Sequence, residues 1–531
     1  MRGCGSRPAS APVNRCSRVR SPLVSTAGSV PHKALATEEE QTSASLIPTM
    51  SLPSMQNLRQ LAAIINSSLD TIEAAYAAAG LEVPQLNNPG FNPTDPAETI
   101  RGTPEVDTAI LNIIAASQQL TAEVTAPPVA ALNASQAFYI SASLNVLLEL
   151  NVVEILREAG PQGLHAKDIA APSGVNPDLV SRLLRLLATH HVFRELTPDV
   201  YTNNRVSAVL DKGKSVKELF AAPEARLDGT TGLTALAEFF SSDVLRCSAE
   251  LTPTILKPEP GVLPYNRAFG TDLPMYFYLQ KPENLYRLKR FGLGMMSTER
   301  AEGSVGGFDF GSLKPGSVVV DVGSGNGHIS SPIAQKYPQL KIVNQDLDQQ
   351  IEQAKKHWAT AVPSHVEKGL VEFQGASLAC PPPLPPNPRP VHDFFNPQPV
   401  KNASVFMLRW IAHNWPDDRL VVILKNLRDA ATPDTKLVII EKIVLTAATE
   451  GSASEGVAGA DKPVAPRPLL PNWGIGKSEF YYVDIGVHIM LGGSERTLVA
   501  FTEIFKRGGW KLDSVHHIAG SHQSHLVAVP L

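Results

Sequence analysis

The stretch Gly316–Leu347, GSVVVDVGSGNGHISSPIAQKYPQLKIVNQDL, decides how the rest of the chain is read. Val318, Val319 and Val320 form an unbroken apolar run of the kind found in parallel strands covered on both faces, and the run ends in Asp321. Gly323, Gly325 and Gly327 follow at alternate positions. A helix is expected from about His328 to Tyr337, and a second apolar strand, Ile342 and Val343, ends in Asp346, 19 positions after Gly327. Glycines let a ligand approach the backbone, and an acid at the end of the second strand can hold both hydroxyls of a ribose. A nicotinamide-type G-x-G-x-x-G would place its third glycine at His328, so the loop is a different one, G-x-G-x-G behind an acid.

Outward from this unit, SVFMLRWIAHNWPDDRLVVILKNLRDAATPDTKLVIIEKIV reads as a strand over Val405–Leu408, a polar and aromatic turn and a helix with Leu420, Ile423, Leu424 and Leu427 on one face. A strand over Leu437–Ile440 then ends in Glu441. Strands alternating with helices predict an α/β doubly wound, Rossmann-like sheet. His413 and Glu441 would then lie beyond the carboxyl ends of strands, where open α/β sheets bind ligands. The last forty residues supply Glu495, a helix and two strands expected to form an antiparallel hairpin.

Upstream, helical patterns dominate. Leu58, Leu61, Ile65, Leu69 and Ile72 keep a helical stripe, and residues 84–104, rich in Pro and Asn, read as a loop. From about 108 to 210 helix follows helix, with Ala142, Leu144, Leu147, Leu148 and Ile155 on apolar faces. A helix opening at Asn176-Pro177 would turn Leu179, Leu183, Leu184 and Leu187 inward, and VFRELTPDVYTNN would form a hairpin turning at Pro198-Asp199. Helix, helix, helix, hairpin is the winged-helix order. Its recognition-like helix carries only Arg182 and Arg185 among leucines, which favours dimerisation or a lid over DNA reading. The segment from Tyr265 to Met296 concentrates Phe269, Met275, Tyr276, Phe277, Tyr278, Phe291, Met295 and Met296 just before the glycine loop. Such a stripe is usually core; here it also suits a planar apolar ligand.

The 531 residues carry 47 Lys+Arg against 51 Asp+Glu, a net charge of −4 that gives no basic field for a phosphate backbone, so no nucleic-acid partner is expected. Cys4, Cys16, Cys247 and Cys380 form no C-x-x-C pair, which argues against a disulfide framework or a cysteine zinc cluster and for reduced, intracellular thiols. No run of about 18 apolar residues occurs, so no membrane partner is expected. The first acid is Glu38, and residues 1–37 hold six Lys/Arg among Ser, Ala and Pro. They read as a disordered extension of a cytoplasmic protein, with a mitochondrial transit peptide as the alternative.

NRAFGTDLP, DVGSGNGH, HDFFNPQPV, LRWIAHNWPDD and GGSERT resemble, in this order, the plant and fungal small-molecule O-methyltransferases, nearest the fungal natural-product branch, over about residues 131–531. The resemblance implies S-adenosyl-L-methionine as cofactor, a G-x-G-x-G loop being the one that suits its amino-acid end. It implies a winged-helix amino-terminal domain forming an intertwined homodimer, a Rossmann-like methyltransferase domain, and a small aromatic or polyketide acceptor methylated on a phenolic or enolic hydroxyl. It places Asp321, Gly323, Gly325, Asp346, the Asp393-Phe394 pair and Arg409 on the cofactor, His413 as catalytic base, and Glu441 and Glu495 as its flanking acids. Phe291, Met295, Met296, His488 and Met490 become candidate acceptor contacts. No metal is required, since a neutral imidazole can take a phenol proton near pH 7.

Two departures stand out. Asn414 occupies the place of the family's usual acid after the base, and residues 376–391 are a proline-rich insertion where relatives run nearly straight through. Either feature would also suit a non-catalytic cofactor-binding or regulatory protein that keeps the fold. The expected organisation is an extension (1–50), a helical lead-in (51–130), a winged-helix and lid domain (131–300) and a methyltransferase domain (301–531), with a loose Gly/Ala/Pro-rich excursion over Ala447–Lys477.

Overall fold

The computed structural model describes residues 53–297, 305–376, 393–448, 456–518 and 521–531. The amino-terminal extension and nearly all of the proline-rich insertion lie outside the described residues. The front domain follows the winged-helix order. Helices Phe138–Glu149, Val152–Ala159, Ala166–Ala170 and Pro177–Thr189 pack around a sheet of β1 (Leu164–His165), β2 (Phe193–Thr197) and β3 (Val200–Asn203), in the order β1-β3-β2. Asn176 accepts from the Asp178 N–H and Pro177 fills the first turn, so the helix begins where the sequence signals it. Arg185 is spent on the wing, 2.9 Å from Glu195 and 2.8 Å from Asp199, and so is not a free phosphate contact.

Two inward expectations fail in informative ways. Leu184 and Leu187 are fully buried, but Leu179 is 57% exposed and borders an apolar groove with Val146, Leu150 and Val175. The helix has one face on the domain core, set by Val180, Leu184 and Leu187, and Leu179 lies on its other face. Likewise, helix Pro53–Ala79 buries Leu61, Ser68 and Tyr76 while Leu69 is half exposed, because only one narrow face of it meets helix Pro104–Val124 and the chain around Trp473. Residues 216–246 and 265–296 form a series of short helices, with a wide π turn at Phe240–Val244.

The back domain is a seven-stranded sheet made of β4 (Val318–Val322), β5 (Lys341–Leu347), β6 (Val371–Ala376), β7 (Val405–Arg409), β8 (Lys436–Lys442), β9 (Trp510–His517) and β10 (Gln523–Pro530). The order is β6-β5-β4-β7-β8-β10-β9, parallel through β8, with β10 antiparallel to both β8 and β9. The chain starts in the middle at β4, winds to one edge, and returns to β7 to wind the other way. The crevice opened by that reversal lies at the carboxyl ends of β4 and β7. Val320, Phe406, Leu408 and Ile439 face helices Asp417–Ala430 and Leu498–Arg507; Val319, Val405, Met407 and Ile440 face the Ile333 and Trp358 side. Each such buried side chain contributes roughly 1.5–3 kcal/mol.

The segment expected to be loose, 447–477, is docked through most of its described part: the Val515 N–H donates to the Ala458 carbonyl at 2.8 Å and Lys462 Nζ to the Ile443 carbonyl at 2.8 Å. Ala465, Leu469 and Trp473 pack on Leu61, Ala115 and Ala116 of the lead-in. Trp473 Nε1 donates to Asn112 Oδ1 at 2.9 Å, and Gln119 Nε2 donates to the Pro468 carbonyl at 3.1 Å. Trp473→Ala should therefore cost about 3–5 kcal/mol locally. Hydrogen exchange should then show lost protection in 104–124 with β4 to β8 unchanged; uniform loss across the sheet would contradict a local joint.

Candidate active site

His413 is carried by a short turn, Ala412–Asn414, immediately after β7. The backbone leaves the strand through Trp410 at φ +52°, a left-handed conformation rarely taken by a large residue, and so reverses over the strand end. Asn414 Nδ2 donates to the Trp410 carbonyl at 2.9 Å and closes this turn. A second loop is laid against it. The Ser494 N–H donates to the His413 carbonyl at 2.9 Å, and a Cβ at Gly493 would stand 2.0 Å from that oxygen, so only glycine allows the approach. Arg496, buried, then brackets His413: Nη1 donates to the Ala412 carbonyl at 2.8 Å and Nη2 to the Trp415 carbonyl at 2.6 Å.

The two loops and the end of β8 bring together the three residues the sequence singled out. His413 Nδ1 lies 2.8 Å from Glu495 Oε1 and 3.8 Å from Glu441 Oε2, and Glu441 Oε1 accepts the His413 backbone N–H at 3.3 Å. Glu441, at the end of β8, is fully buried. The Glu495 N–H donates to Asp484 Oδ1 at 2.7 Å, which fixes that acid from helix Ser478–Leu491. Burial opposes an imidazolium here, but the Glu441 charge and the Glu495 hydrogen bond outweigh it, so His413 titrates above its ordinary 6.5, with Lys442 a small opposing influence. Burial pushes the Glu441 carboxyl up, the His413 charge opposes this, and the Glu495 charge adds to it. An ionised carboxylate only accepts, so the nitrogen facing Glu495 carries the proton and Nε2 keeps the lone pair.

Beside this site lies the glycine loop. Gly323, Gly325 and Gly327 all take positive φ, and a Cβ at Gly323 would stand 2.3 Å from Ile411 Cδ1, two residues before His413. The Gly323 and Ser324 N–H groups both donate to the Gln345 carbonyl, at 2.8 and 3.0 Å. Asp346 ties the loop down, its Oδ2 accepting from the Gly325 N–H and its Oδ1 from the Leu347 N–H, each at 2.7 Å. Asp321, buried at the end of β4, is pushed up to about 7 by burial, with the Asp346 charge adding and the Ser330 hydroxyl and Arg409 opposing. Its Oδ2 meets no hydrogen-bond donor among the described residues. Arg409 holds Gln523 at 3.0 Å and reaches His328 Nε2 at 3.3 Å, where burial and the Arg409 charge keep that ring neutral, lowered to about 4.

Other expected residues are placed differently. Asp393 caps its own turn by accepting the Phe395 N–H at 2.9 Å, and Phe394 packs on Trp415 with ring centroids 5.8 Å apart. Phe291 is half-buried, edge-on to Phe239 and to Tyr276. Met295 is half-buried and the next residue, Met296, is exposed, both in the last turn of helix Leu285–Ser297. His488 is exposed, and Met490 is buried in a core cluster with Phe239, Tyr265 and Met275. Sequence reading named Tyr276 only as part of the aromatic stripe. Burial lifts its phenol to about 12 with the Asp346 charge adding, although the side chain is 40% exposed. Tyr276 therefore lies within electrostatic reach of Asp346. Asp484 was missed as well; a lone acid inside the apolar helix YYVDIGVHIML was its signal.

An O-methyltransferase dimerisation domain matches residues 132–213, and an O-methyltransferase domain matches residues 249–379 and 391–460, so the match breaks at the proline-rich insertion. The chain is 35% identical over 491 residues to an O-methyltransferase of Armillaria gallica, covering 90% of this chain and 99% of the relative. It is 34% identical over 470 residues to 4-O-methyltransferase 1 of Phanerochaete chrysosporium, covering 86% and 95%. Among solved structures it shares its fold with a mitomycin 7-O-methyltransferase, at TM-score 0.53, 21% identity and coverage of 78% of this chain and 99% of that one. It also shares its fold with LepI in complex with SAM, at TM-score 0.56, 18% identity and coverage of 80% and 94%. With the sheet order and the GGSERT loop against His413, these matches establish that the chain belongs to the O-methyltransferase family.

Proposed function

We propose that the protein transfers a methyl group from S-adenosylmethionine to a phenolic or enolic hydroxyl of a small aromatic or polyketide metabolite, with His413 as general base. The observation that carries this is the 2.8 Å contact from His413 Nδ1 to Glu495 beside the glycine loop, because it leaves Nε2 as the nitrogen able to take a proton. The cofactor, when bound, supplies an electrophilic methyl on a sulfonium. The family and the fold shared with LepI in complex with SAM support it. Asp321 fits a cofactor, since a buried carboxylate oxygen without a donor suits an ammonium or hydroxyl. Asp346 would take the ribose hydroxyls and the open glycine backbone the amino-acid end, with Arg409 nearby. Tyr276 and Phe291 would flank the aromatic acceptor.

In the reaction the acceptor oxygen forms a bond to the methyl carbon as the carbon–sulfur bond breaks, and the hydroxyl proton passes to His413 Nε2. Glu495 and Glu441 hold the ring and stabilise the imidazolium, the role of an orienting acid in a triad. His413→Ala should lower kcat about 10²–10⁴-fold, measured with labelled donor and a panel of phenols, while calorimetry shows donor binding intact. Equal transfer by wild type and variant would remove His413 from the mechanism; donor binding without any transfer by wild type would favour a non-catalytic cofactor-binding protein. Because the base must be neutral, kcat/KM should rise with pH along a limb centred above 6.5. Glu495→Gln removes an anion that raises this pKa, so its limb should move to lower pH while kcat falls. A limb that stays in place would separate Glu495 from the base.

We also propose that the protein is a homodimer through the front domain. Helix Pro127–Gln136 buries no residue, and Val129, Leu132, Phe138, Tyr139 and Leu179 are each at least half exposed. A cluster of exposed apolar side chains of this kind marks an interface. Leu132→Glu with Leu179→Glu should turn a dimer into a monomer in sedimentation; a wild-type monomer at micromolar concentration would contradict the assignment.

A further inference from the structure

We infer that His413, Glu441 and Glu495 form a site for one first-row divalent cation of the Zn²⁺ class, and that filling it switches off the base. The cation site stands on geometry alone; the loss of activity rests on the reading of His413 given above. One ligand atom from each of the three side chains can be chosen so that all lie within 4.8 Å of one another. His413 Nδ1 is 2.8 Å from Glu495 Oε1 and 3.8 Å from Glu441 Oε2. The Glu441 and Glu495 side chains are 0% and 1% exposed, and the Oε2 atom of each finds no hydrogen-bond partner among the described residues.

Two buried carboxylates facing one imidazole leave negative charge that a dication would neutralise. Arg496, although adjacent, directs its N–H groups to the carbonyls of Ala412, Trp415 and Ser494 and to Asp417, not to these oxygens. One imidazole nitrogen with two carboxylates is a donor set for Zn²⁺, Co²⁺ or Fe²⁺, whereas Mg²⁺ asks for oxygens in near-octahedral geometry and gives up water reluctantly. The three ligands come from a clamped turn, a strand end and the loop docked on that turn, so little rearrangement is needed. The His413 side chain is 14% exposed, which gives the ion a way in from the cleft.

The chemical consequence follows from the ring. A cation on Nδ1 uses that nitrogen's lone pair, and the single proton of the neutral imidazole then resides on Nε2. Nε2 has no lone pair left for the acceptor proton. The same geometry that orients the base therefore lets a borderline metal ion hold it in the unreactive tautomer.

Equilibrium dialysis and calorimetry with ZnCl₂ on the full chain test the site, alongside Glu495→Gln, Glu441→Gln and His413→Ala. We expect one Zn²⁺ per chain, affinity weakened roughly 10-fold or more in each variant, and visible ligand-field bands when Co²⁺ replaces Zn²⁺. Methyl transfer should fall in step with occupancy, recover on adding a chelator and be unaffected by MgCl₂. Absence of stoichiometric binding would overturn the site, and so would equal binding by wild type and all three variants, which would assign the ions to surface histidines such as His190 and His191. Variant-sensitive binding with unimpaired transfer would overturn the switch and, with it, the assignment of His413 as base. If wild type transfers no methyl group to any acceptor, dialysis still decides the cation site.

Discussion

Arg496 is the residue on which the geometry of the site depends. Buried, it gives hydrogen bonds to the carbonyls of Ala412 and Trp415 and an ion pair to Asp417 at 2.8 Å. Three carbonyls and a carboxylate in diverging directions call for a planar fork of five donors; a lysine ammonium would leave several of them unpaired in a dry interior. The clamp joins two loops that are distant in sequence, one ending β7 and one preceding helix Leu498–Arg507. Glu495, next in the chain, can meet His413 only if this junction forms. The hydrogen bond at 2.8 Å is thus a product of the clamp as much as of its own attraction.

The sheet decides where this junction can lie. Because β4 and β7 are neighbours and the chain winds away from each in opposite directions, their following loops separate and leave a crevice rather than covering one another. Ile411, after β7, fills the space that a side chain at position 323 would need, so the glycine loop and the histidine turn are packed as one surface. The carboxyl ends of β4, β5, β7 and β8 carry Asp321, Asp346, Arg409 and Glu441. Asp321, Asp346, Arg409 and Glu441 are therefore set by strand register, while His413, Glu495 and Asp393 lie on turns and loops.

This is why much of the site was legible in the sequence. Strand-end positions follow from short apolar runs, and Asp321, Asp346, His413 and Glu441 could be placed on one edge by counting from those runs. The winged helix was legible for the same reason, its caps and turns being local. What periodicity cannot supply is the partner a face meets. Leu69 and Leu179 fit their stripes yet face outward, because each helix buries a narrower face than its pattern offers. Asp393 and Phe394 were named by motif alone; Asp393 caps its own turn and Phe394 packs on Trp415, contacts that strand counting does not reach. Tyr276 hid among aromatic neighbours of identical type, and only its proximity to Asp346 distinguishes it.

The lead-in, which lies outside the two matched domains, is not independent of the site. The lead-in helices pack on Ala465, Leu469 and Trp473, and the chain then passes through Gly474–Lys477 into helix Ser478–Leu491. That helix is anchored at its first turns by Tyr481, whose hydroxyl accepts from Asn472 at 2.6 Å and donates to the Leu445 carbonyl at 2.5 Å. One turn further on, Asp484 holds the Glu495 N–H. A rigid helix transmits the placement of its first turn to the next, so the position of Glu495 depends in part on a joint built by residues that precede the winged helix. Without the lead-in, the amino end of this helix would keep more freedom, being entered through a segment rich in Gly, Ala and Pro. Docking the lead-in there removes that freedom, and the acid that orients His413 gains a second support besides Arg496.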